Sequence, residues 1–151
     1  MIGEELIREA QRLWAEGIIK IGKAYLEGKD YQVMAINFLK ELYAFDEGIV
    51  LFKPTKAKEV PFRYTLEDAL SYFIGGKHPE DSGFALEPWK EINFDVKGEI
   101  YLGDIALSQG HYYFVSGKTG ATLKVEFTFG YKLIKGKLKI ILQHSFLPYS
   151  Y

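Results

Sequence analysis

The chain has 151 residues, of which 48% are hydrophobic and 26% are charged, and this balance predicts one globular domain and excludes a mainly disordered chain. Its 19 basic and 20 acidic side chains give a net charge of −1. That charge argues against a nucleic-acid partner, because proteins that bind DNA or RNA carry a clear positive excess.

The first half of the chain is predicted to be mainly helical. Apolar side chains recur there at steps of three and four residues, which is typical of amphipathic helices. Asp30 and Thr65 are placed to cap two of these helices, Gly28 ends the first one, and Pro54 ends a short strand. The predicted helices cover residues 4–26, 30–42 and 66–73, the strand covers 49–52, and loops cover 54–64 and 77–91.

From residue 92 onward apolar and polar residues alternate, which predicts strands. The predicted strands cover residues 92–97, 99–102, 105–116, 122–133 and 137–146. The alternation is clearest where Val125, Phe127 and Phe129 are interleaved with polar residues, and it predicts one buried and one wet face. Helices followed by an antiparallel meander predict an α+β fold in which the helices pack on one face of a strongly curved sheet, as a single domain over residues 1–151.

Familiar catalytic motifs are missing from the sequence. It has no cysteine, which excludes disulfides, thiolate nucleophiles and zinc–thiolate sites. It has no glycine-rich phosphate loop and no nucleophile elbow. Its three histidines, His78, His111 and His144, are not at metal-ligand spacing, so a zinc site would have to be assembled by folding.

Two further features bear on location and core. No run of about 18 apolar residues is present, and the acidic start of the chain is unlike a secretory signal. We therefore expect a cytoplasmic protein with no membrane partner. Aromatic residues make up 16% of the chain, which favours a β-rich core and also suits a ligand cavity.

Four stretches together resemble a known superfamily. They include the segments "LFKPT" and "HSFLPY", and they cover residues 45–55, 62–76, 80–89 and 143–149. Their order and spacing resemble the nuclear-transport-factor-2-like superfamily. Within it they are most similar to the branch of the calcium/calmodulin-dependent kinase association domain, to which iota-class carbonic anhydrases belong.

This resemblance implies a cone-shaped α+β barrel, dimeric or larger, with a pocket between the sheet and the helices. It also implies reversible hydration of CO2 to bicarbonate, with no cofactor and, in some members, no metal. The family's pocket residues fall on Thr55, Tyr72 and Ser145. The family has two histidines before that serine, whereas this chain has Gln143 and His144, and glutamine can form hydrogen bonds but cannot titrate.

Each implied catalytic residue also has a structural interpretation. Thr55 contacts bicarbonate or caps a turn. Tyr72 lines the pocket or packs in the core with its hydroxyl at the surface. His144 is a proton shuttle or a structural histidine that shares its strand face with Phe146. Ser145 shares the opposite face with Gln143, which makes Gln143 a candidate for substrate binding.

Other candidate residues concern the substrate. Arg63 and Lys53 could attract bicarbonate, or form salt bridges. Phe84 and Trp89 could wall a dry cavity suited to CO2, or belong to the core.

Two functions from different classes therefore stay open. One is a cofactor-free lyase that acts on CO2 and bicarbonate. The other is a non-catalytic module, natural or redesigned for stability, that binds a small molecule or forms oligomers.

Overall fold

The computed structural model describes residues 1–151 and contains three α-helices and a five-stranded sheet. The elements in chain order are α1 (Glu4–Leu26), α2 (Tyr31–Leu42), β1 (Leu51–Lys53), α3 (Leu66–Ile74), β2 (Trp89–Leu102), β3 (Ile105–Ser116), β4 (Thr122–Ile134) and β5 (Lys137–Phe146). Short 3-10 helices cover Phe45–Glu47 and Phe84–Leu86. None of the helices combines the length and the apolar character needed to cross a bilayer.

The helices begin and end where the local sequence predicts. The Asp30 carboxylate accepts the backbone N–H of Val33 at 3.1 Å, and the Thr65 hydroxyl accepts that of Asp68 at 3.2 Å. Both predicted N-caps are therefore confirmed. Gly75 follows α3 with a φ of 81°, a left-handed conformation that a residue with a Cβ rarely adopts.

The sheet has the strand order β1-β5-β4-β3-β2. Strand β1 pairs in parallel with β5, whereas the other neighbours are antiparallel. The sheet is open, with β1 and β2 at its edges, so the expected cone does not close into a barrel. The β1–β5 register places Phe52 opposite Gln143, which brings the end of β1 beside the inner face of β5.

Two strand predictions need correction. The predicted strands at residues 92–97 and 99–102 are one continuous strand, β2, which already begins at Trp89. The pairing with β3 shifts between Val96 and Gly98, so Gly98 marks an irregularity within the strand and not the predicted turn. The short strand predicted at residues 49–52 lies at Leu51–Lys53.

The core lies between α1 and the inner face of the sheet, and aromatic rings dominate it. Val125, Phe127 and Phe129 are buried, which confirms the predicted two-faced strand. Trp14 of α1 stacks on Tyr112 of β3 with the ring centroids 5.5 Å apart. This packing fixes the long helix over the sheet and leaves a small space at the end where α3 and the residues after β1 meet.

Candidate functional site

A small cavity lies where the end of β1, α3, β3 and β5 meet. Its volume is about 10 Å³, which is close to the smallest cavity that can hold one water molecule. We call it the inner cavity. Its lining consists of hydroxyl groups, one amide and a majority of apolar side chains: Trp14, Phe52, Pro54, Thr55, Tyr72, Phe73, Phe84, Tyr112, Phe114, Gln143 and Ser145.

The loop that carries Thr55 is anchored by an acidic side chain from another segment. The Glu80 carboxylate accepts the backbone N–H groups of Lys58, Glu59 and Val60 at 2.7–3.2 Å. These N–H groups, Lys58 first, lower the pKa of Glu80 to about 2, so the carboxylate is ionised at neutral pH. The ionised carboxylate thus holds residues 58–60 of the loop in which Thr55 also lies.

Three hydroxyl groups meet at Ser145 of β5. The Ser145 Oγ lies 2.6 Å from the Thr55 Oγ1 and 2.6 Å from the Tyr112 hydroxyl. The Tyr72 hydroxyl lines the same cavity and accepts the backbone N–H of Lys56 at 3.2 Å. The structure thus brings together Thr55, Tyr72 and Ser145, which the resemblance implies as pocket residues.

Gln143 lies on the same face of β5 and is only 2% exposed. Its Nε2 donates to the Tyr112 hydroxyl at 3.2 Å, and its Oε1 accepts from the Tyr43 hydroxyl. Tyr43, which directly follows α2, accepts the indole N–H of Trp14 at 2.9 Å. Both polar atoms of Gln143 therefore have a partner within the protein, and Gln143 also forms part of the cavity lining.

The ionisable groups of the inner cavity stay neutral near pH 7. Burial raises the pKa of Tyr112 to about 12 and raises the pKa of Tyr72 still further above its ordinary value. Burial also raises the pKa of Tyr43 behind the cavity. No histidine or carboxylate lines this cavity. The arrangement can offer hydroxyl hydrogens to a ligand, but it contains no general base that is ionised near neutral pH.

A second space opens beside the inner cavity towards solvent. This outer cleft has a volume of about 50 Å³ and is lined by Lys56, Tyr72, Glu80, Asp81, Ser82, Gly83, Phe84, Glu87 and Trp89. Tyr72 and Phe84 border both spaces, and their rings stack with centroids 5.5 Å apart. Trp89 donates its indole N–H to the Phe84 carbonyl at 2.8 Å, so it holds the 3-10 helix that carries Phe84.

Arg63 lies outside the inner cavity. It is fully buried and forms a bidentate ion pair with Asp81 at 2.7 and 2.9 Å. Its remaining N–H groups donate to the Val60 and Asp68 carbonyls and to Glu80. All its donors are therefore used within the protein, which matches the salt-bridge interpretation of this residue.

His144 lies on the opposite face of β5 from the cavity. Its ring packs against Phe146 with the centroids 5.4 Å apart. Partial burial, and then the charge of Lys53, lowers its pKa below the ordinary value. Lys53 donates to the Ser145 carbonyl at 3.1 Å, so it supports the strand backbone. No group of three or more His, Asp or Glu side chains is arranged to hold a metal ion.

Sequence reasoning missed three residues that complete the site, namely Trp14, Tyr43 and Tyr112. Tyr112 had a usable signal, because it shares the buried face of β3 with Phe114. A buried tyrosine needs a partner for its hydroxyl, which marks it as a candidate for a polar site. Tyr43 gave no comparable signal, since its partner Gln143 is 100 residues away in the chain.

Comparison with known proteins places this geometry in context. A family model described as metal-independent carbonic anhydrase matches residues 5–147. A metal-independent carbonic anhydrase from Nostoc sp. (strain PCC 7120 / SAG 25.82 / UTEX 2576) is 35% identical over 155 residues, which cover 99% of this chain and 75% of that protein.

Solved structures agree with these sequence matches. An iota-carbonic anhydrase from a cyanobacterium, complexed with bicarbonate, has a TM-score of 0.95 and 31% identity over 99% of this chain and 94% of that one. A putative calcium/calmodulin dependent protein kinase II association domain from Xanthomonas campestris has a TM-score of 0.68 and 23% identity over 99% and 91% of the two chains. The second likeness shows the fold alone.

Proposed function

Because the chain belongs to the metal-independent carbonic anhydrase family, we propose that it catalyses the reversible hydration of CO2 to bicarbonate in the inner cavity. The observation that carries this proposal is the convergence of Thr55, Tyr72 and Ser145 on one small, mainly apolar cavity. The cyanobacterial structure that this chain matches along almost its whole length is a complex with bicarbonate. We further propose that this chain's cavity holds the same anion.

The apolar walls and the hydroxyl groups have separate tasks in this proposal. The rings of Phe52, Phe84 and Phe114 make a dry surface that accepts CO2. When the oxygen of water attacks the carbon of CO2, negative charge develops on the CO2 oxygens. Hydroxyl hydrogens of Thr55 and Tyr72 are placed to stabilise that charge, because hydrogen bonds are stronger where water is excluded.

The proton balance follows from the chemistry of the lining. CO2 and water give bicarbonate and one proton, and the tyrosines of the cavity stay protonated because their pKa values are raised. The proton released by the attacking water therefore leaves to solvent, for which the outer cleft is the adjacent route. The protein contributes orientation of the two reactants and stabilisation of developing charge, and both can lower the barrier substantially.

Entry of the substrate requires the lining to move. The inner cavity of about 10 Å³ has room for about one water molecule, which is less than CO2 and water need together. Phe84 separates the inner cavity from the outer cleft, and its 3-10 helix follows Gly83, which has a φ of 90°. We infer that displacement of the Phe84 ring joins the two spaces when substrate binds.

The proposal is tested by stopped-flow CO2 hydration with a pH indicator, on protein treated with chelator and measured for metal. We expect activity without metal, and a loss of about tenfold or more in Tyr72→Phe and Ser145→Ala, since each removes a hydrogen-bonding group of the cavity. Matched controls are Tyr131→Phe and Ser108→Ala, because both residues are buried but lie outside the cavity lining. Both controls should retain wild-type activity.

Three outcomes would contradict the proposal. Activity that returns only with added zinc would contradict the metal-free reaction. Wild-type protein that binds bicarbonate without turnover would favour the non-catalytic module. Equal losses in the cavity variants and in the controls would show that the hydroxyl groups act through stability alone.

We also propose that the chain forms a homodimer or a larger homo-oligomer. The support is the family resemblance, together with apolar side chains that remain exposed around β1: Ile49 is 64%, Leu51 48% and Phe62 57% exposed. Such clustered apolar exposure is typical of interaction surfaces. Light scattering on a sizing column tests this proposal, and a monomer at all concentrations would contradict it.

A further inference from the structure

A continuous line of hydrogen-bonded side chains leads from the core to the inner cavity. It begins at Trp14 and passes through Tyr43, Gln143, Tyr112 and Ser145 to the Thr55 hydroxyl. Every member before Thr55 is at most 2% exposed, so the partners of these groups lie within the protein. The donor and acceptor capacity of each group therefore determines the direction of every hydrogen bond along this line.

The first group in the line, the indole N–H of Trp14, can only be a donor. An indole N–H can only donate, so the Tyr43 oxygen accepts from Trp14, at 2.9 Å. The single hydrogen of the Tyr43 hydroxyl then goes to its other partner, Gln143. Gln143 must present its carbonyl oxygen to Tyr43, and this requirement fixes the orientation of the amide.

The fixed amide orients every hydroxyl beyond it. Its NH2 group points to Tyr112 at 3.2 Å, so the Tyr112 oxygen accepts and its hydrogen goes to Ser145 at 2.6 Å. Ser145 in turn donates to Thr55 at 2.6 Å. The Thr55 hydroxyl makes no other hydrogen bond. Its remaining polar neighbour is the Tyr72 hydroxyl, which already accepts the backbone N–H of Lys56. The Thr55 hydrogen therefore stays available to a ligand in the inner cavity, which Thr55 and Tyr72 both line.

We propose that Trp14, Tyr43, Gln143 and Tyr112 are positioning residues that impose one direction of hydrogen-bond donation, so that Thr55 always donates to the ligand. This inference rests on the proposed function and assigns a cause to one of its steps. A hydroxyl held as a donor selects ligands that accept, such as bicarbonate or the oxyanion that forms during hydration. It also disfavours ligands that can only donate to Thr55.

The direction of donation explains what glutamine contributes at position 143. A primary amide has one end that donates and one end that accepts, and neither end titrates. A histidine in the same place would match this pattern only in one neutral tautomer, and protonation would make both of its nitrogens donors. Gln143 keeps the line in one order across the whole pH range in which the fold is stable.

The decisive variant is Gln143→Glu, because the glutamate side chain has nearly the same shape as glutamine but lacks the amide hydrogens that donate to Tyr112. An ionised carboxylate only accepts, so Tyr112 would donate to position 143, Ser145 to Tyr112, and Thr55 to Ser145. A lone pair of Thr55 would then face the anion. Protonation of the substituted carboxyl group would restore the original order, because its hydroxyl can donate to Tyr112.

This reversal predicts a new pH dependence. The titratable groups that contact position 143 are Tyr43 and Tyr112, and both remain neutral because burial raises their pKa values. The substituted carboxyl group is then the ionising group nearest the line. We expect kcat/KM of Gln143→Glu to be near the wild-type value in acid and to fall about tenfold or more as that group ionises. The KM for bicarbonate should rise over the same range.

The control is Gln109→Glu, the same substitution at an exposed position on β3, which should keep the wild-type profile. Gln143→Glu with the wild-type profile would overturn the inference, and so would uniform loss of activity at every pH. A wild-type protein without CO2 hydration would instead refute the proposed function.

A second measurement is independent of turnover and of whether the variant folds. Neutron diffraction from deuterated wild-type crystals locates the hydroxyl deuterium atoms. We expect the Ser145 deuterium to lie between Ser145 and Thr55, and the Thr55 deuterium to point away from Ser145 into the inner cavity. Deuterium donated from Thr55 to Ser145, or a mixture of both orders, would overturn the inference even in an active enzyme.

Discussion

Replacement of Thr55 by valine removes one hydroxyl and nearly nothing else. Valine has almost the same shape as threonine, so the packing against Pro54 and Tyr72 should be preserved. The substitution deletes the hydrogen that is offered to the ligand. It also deletes the acceptor that lies 2.6 Å from Ser145. Two separate effects are therefore expected, one on catalysis and one on stability.

The size of each effect follows from the contacts. A hydrogen bond to a charged group contributes about 1.5–3 kcal/mol, which corresponds to a loss of roughly 10- to 150-fold in kcat/KM. Ser145 is only 1% exposed, and an unpaired buried hydroxyl costs about 1–3 kcal/mol of folding stability. We expect the lower end, about 1 kcal/mol, because the space next to Ser145 can hold about one water molecule as a replacement partner.

The assay measures both quantities on the same preparations. Stopped-flow CO2 hydration gives kcat/KM, and urea unfolding gives the free energy of unfolding. Thr128→Val on β4 is the control, since Thr128 accepts a hydrogen bond from Gln109 at the exposed surface. The reasoning is refuted if Thr55→Val keeps more than half of the wild-type kcat/KM. It is also refuted if Thr128→Val loses as much activity.

Two further predictions concern pH. The lowered pKa of Glu80, about 2, means that its ionised form stabilises the fold above the unfolded-state pKa of about 4.3 and that this contribution is lost as pH falls towards 2. Glu80→Gln should therefore be less stable than wild type in urea unfolding at pH 7 and nearly equal to it near pH 2, and a constant difference would contradict this. The wild-type kcat/KM should show no enzyme inflection between about pH 6 and 9, because the inner cavity contains no histidine or carboxylate; an inflection that disappears in His144→Gln would instead place His144 in the reaction.

The sequence predicts well wherever a local signal is sufficient. Apolar periodicity and the glycine at position 28 together predict a helix over residues 4–26, and α1 has the same bounds. The turn that the sequence predicts at Gly98 is wrong, because a glycine between two alternating runs is equally compatible with a hairpin turn and with an irregularity inside one strand. Only the pairing with β3 distinguishes the two cases, and that pairing is a long-range property.

The sequence likewise predicts some features of the site and not others. Strand parity alone placed Gln143 and Ser145 on one face and His144 on the other, and the burial of the first two agrees with this. The partners of these residues could not be predicted, because β1 pairs in parallel with β5 across about ninety residues of intervening chain. The family resemblance implies Thr55 as a pocket residue, but it does not explain the direction in which the Thr55 hydroxyl donates its hydrogen.

The aromatic content of the chain and the chemistry of its cavity have a common physical explanation. A neutral hydroxyl stabilises developing charge far less than a metal ion does, so it needs an environment that strengthens its hydrogen bond. Rings such as Phe84 and Phe114 keep bulk water out of the inner cavity, which has room for about one water molecule, and this lowers the local dielectric constant. The same burial keeps Tyr72 and Tyr112 protonated, so they remain donors at every pH at which the enzyme works. The apolar lining and the neutral hydroxyl donors therefore depend on each other. Replacement of a lining residue such as Phe114 with a polar residue should lower the rate of CO2 hydration even though every hydroxyl group is retained.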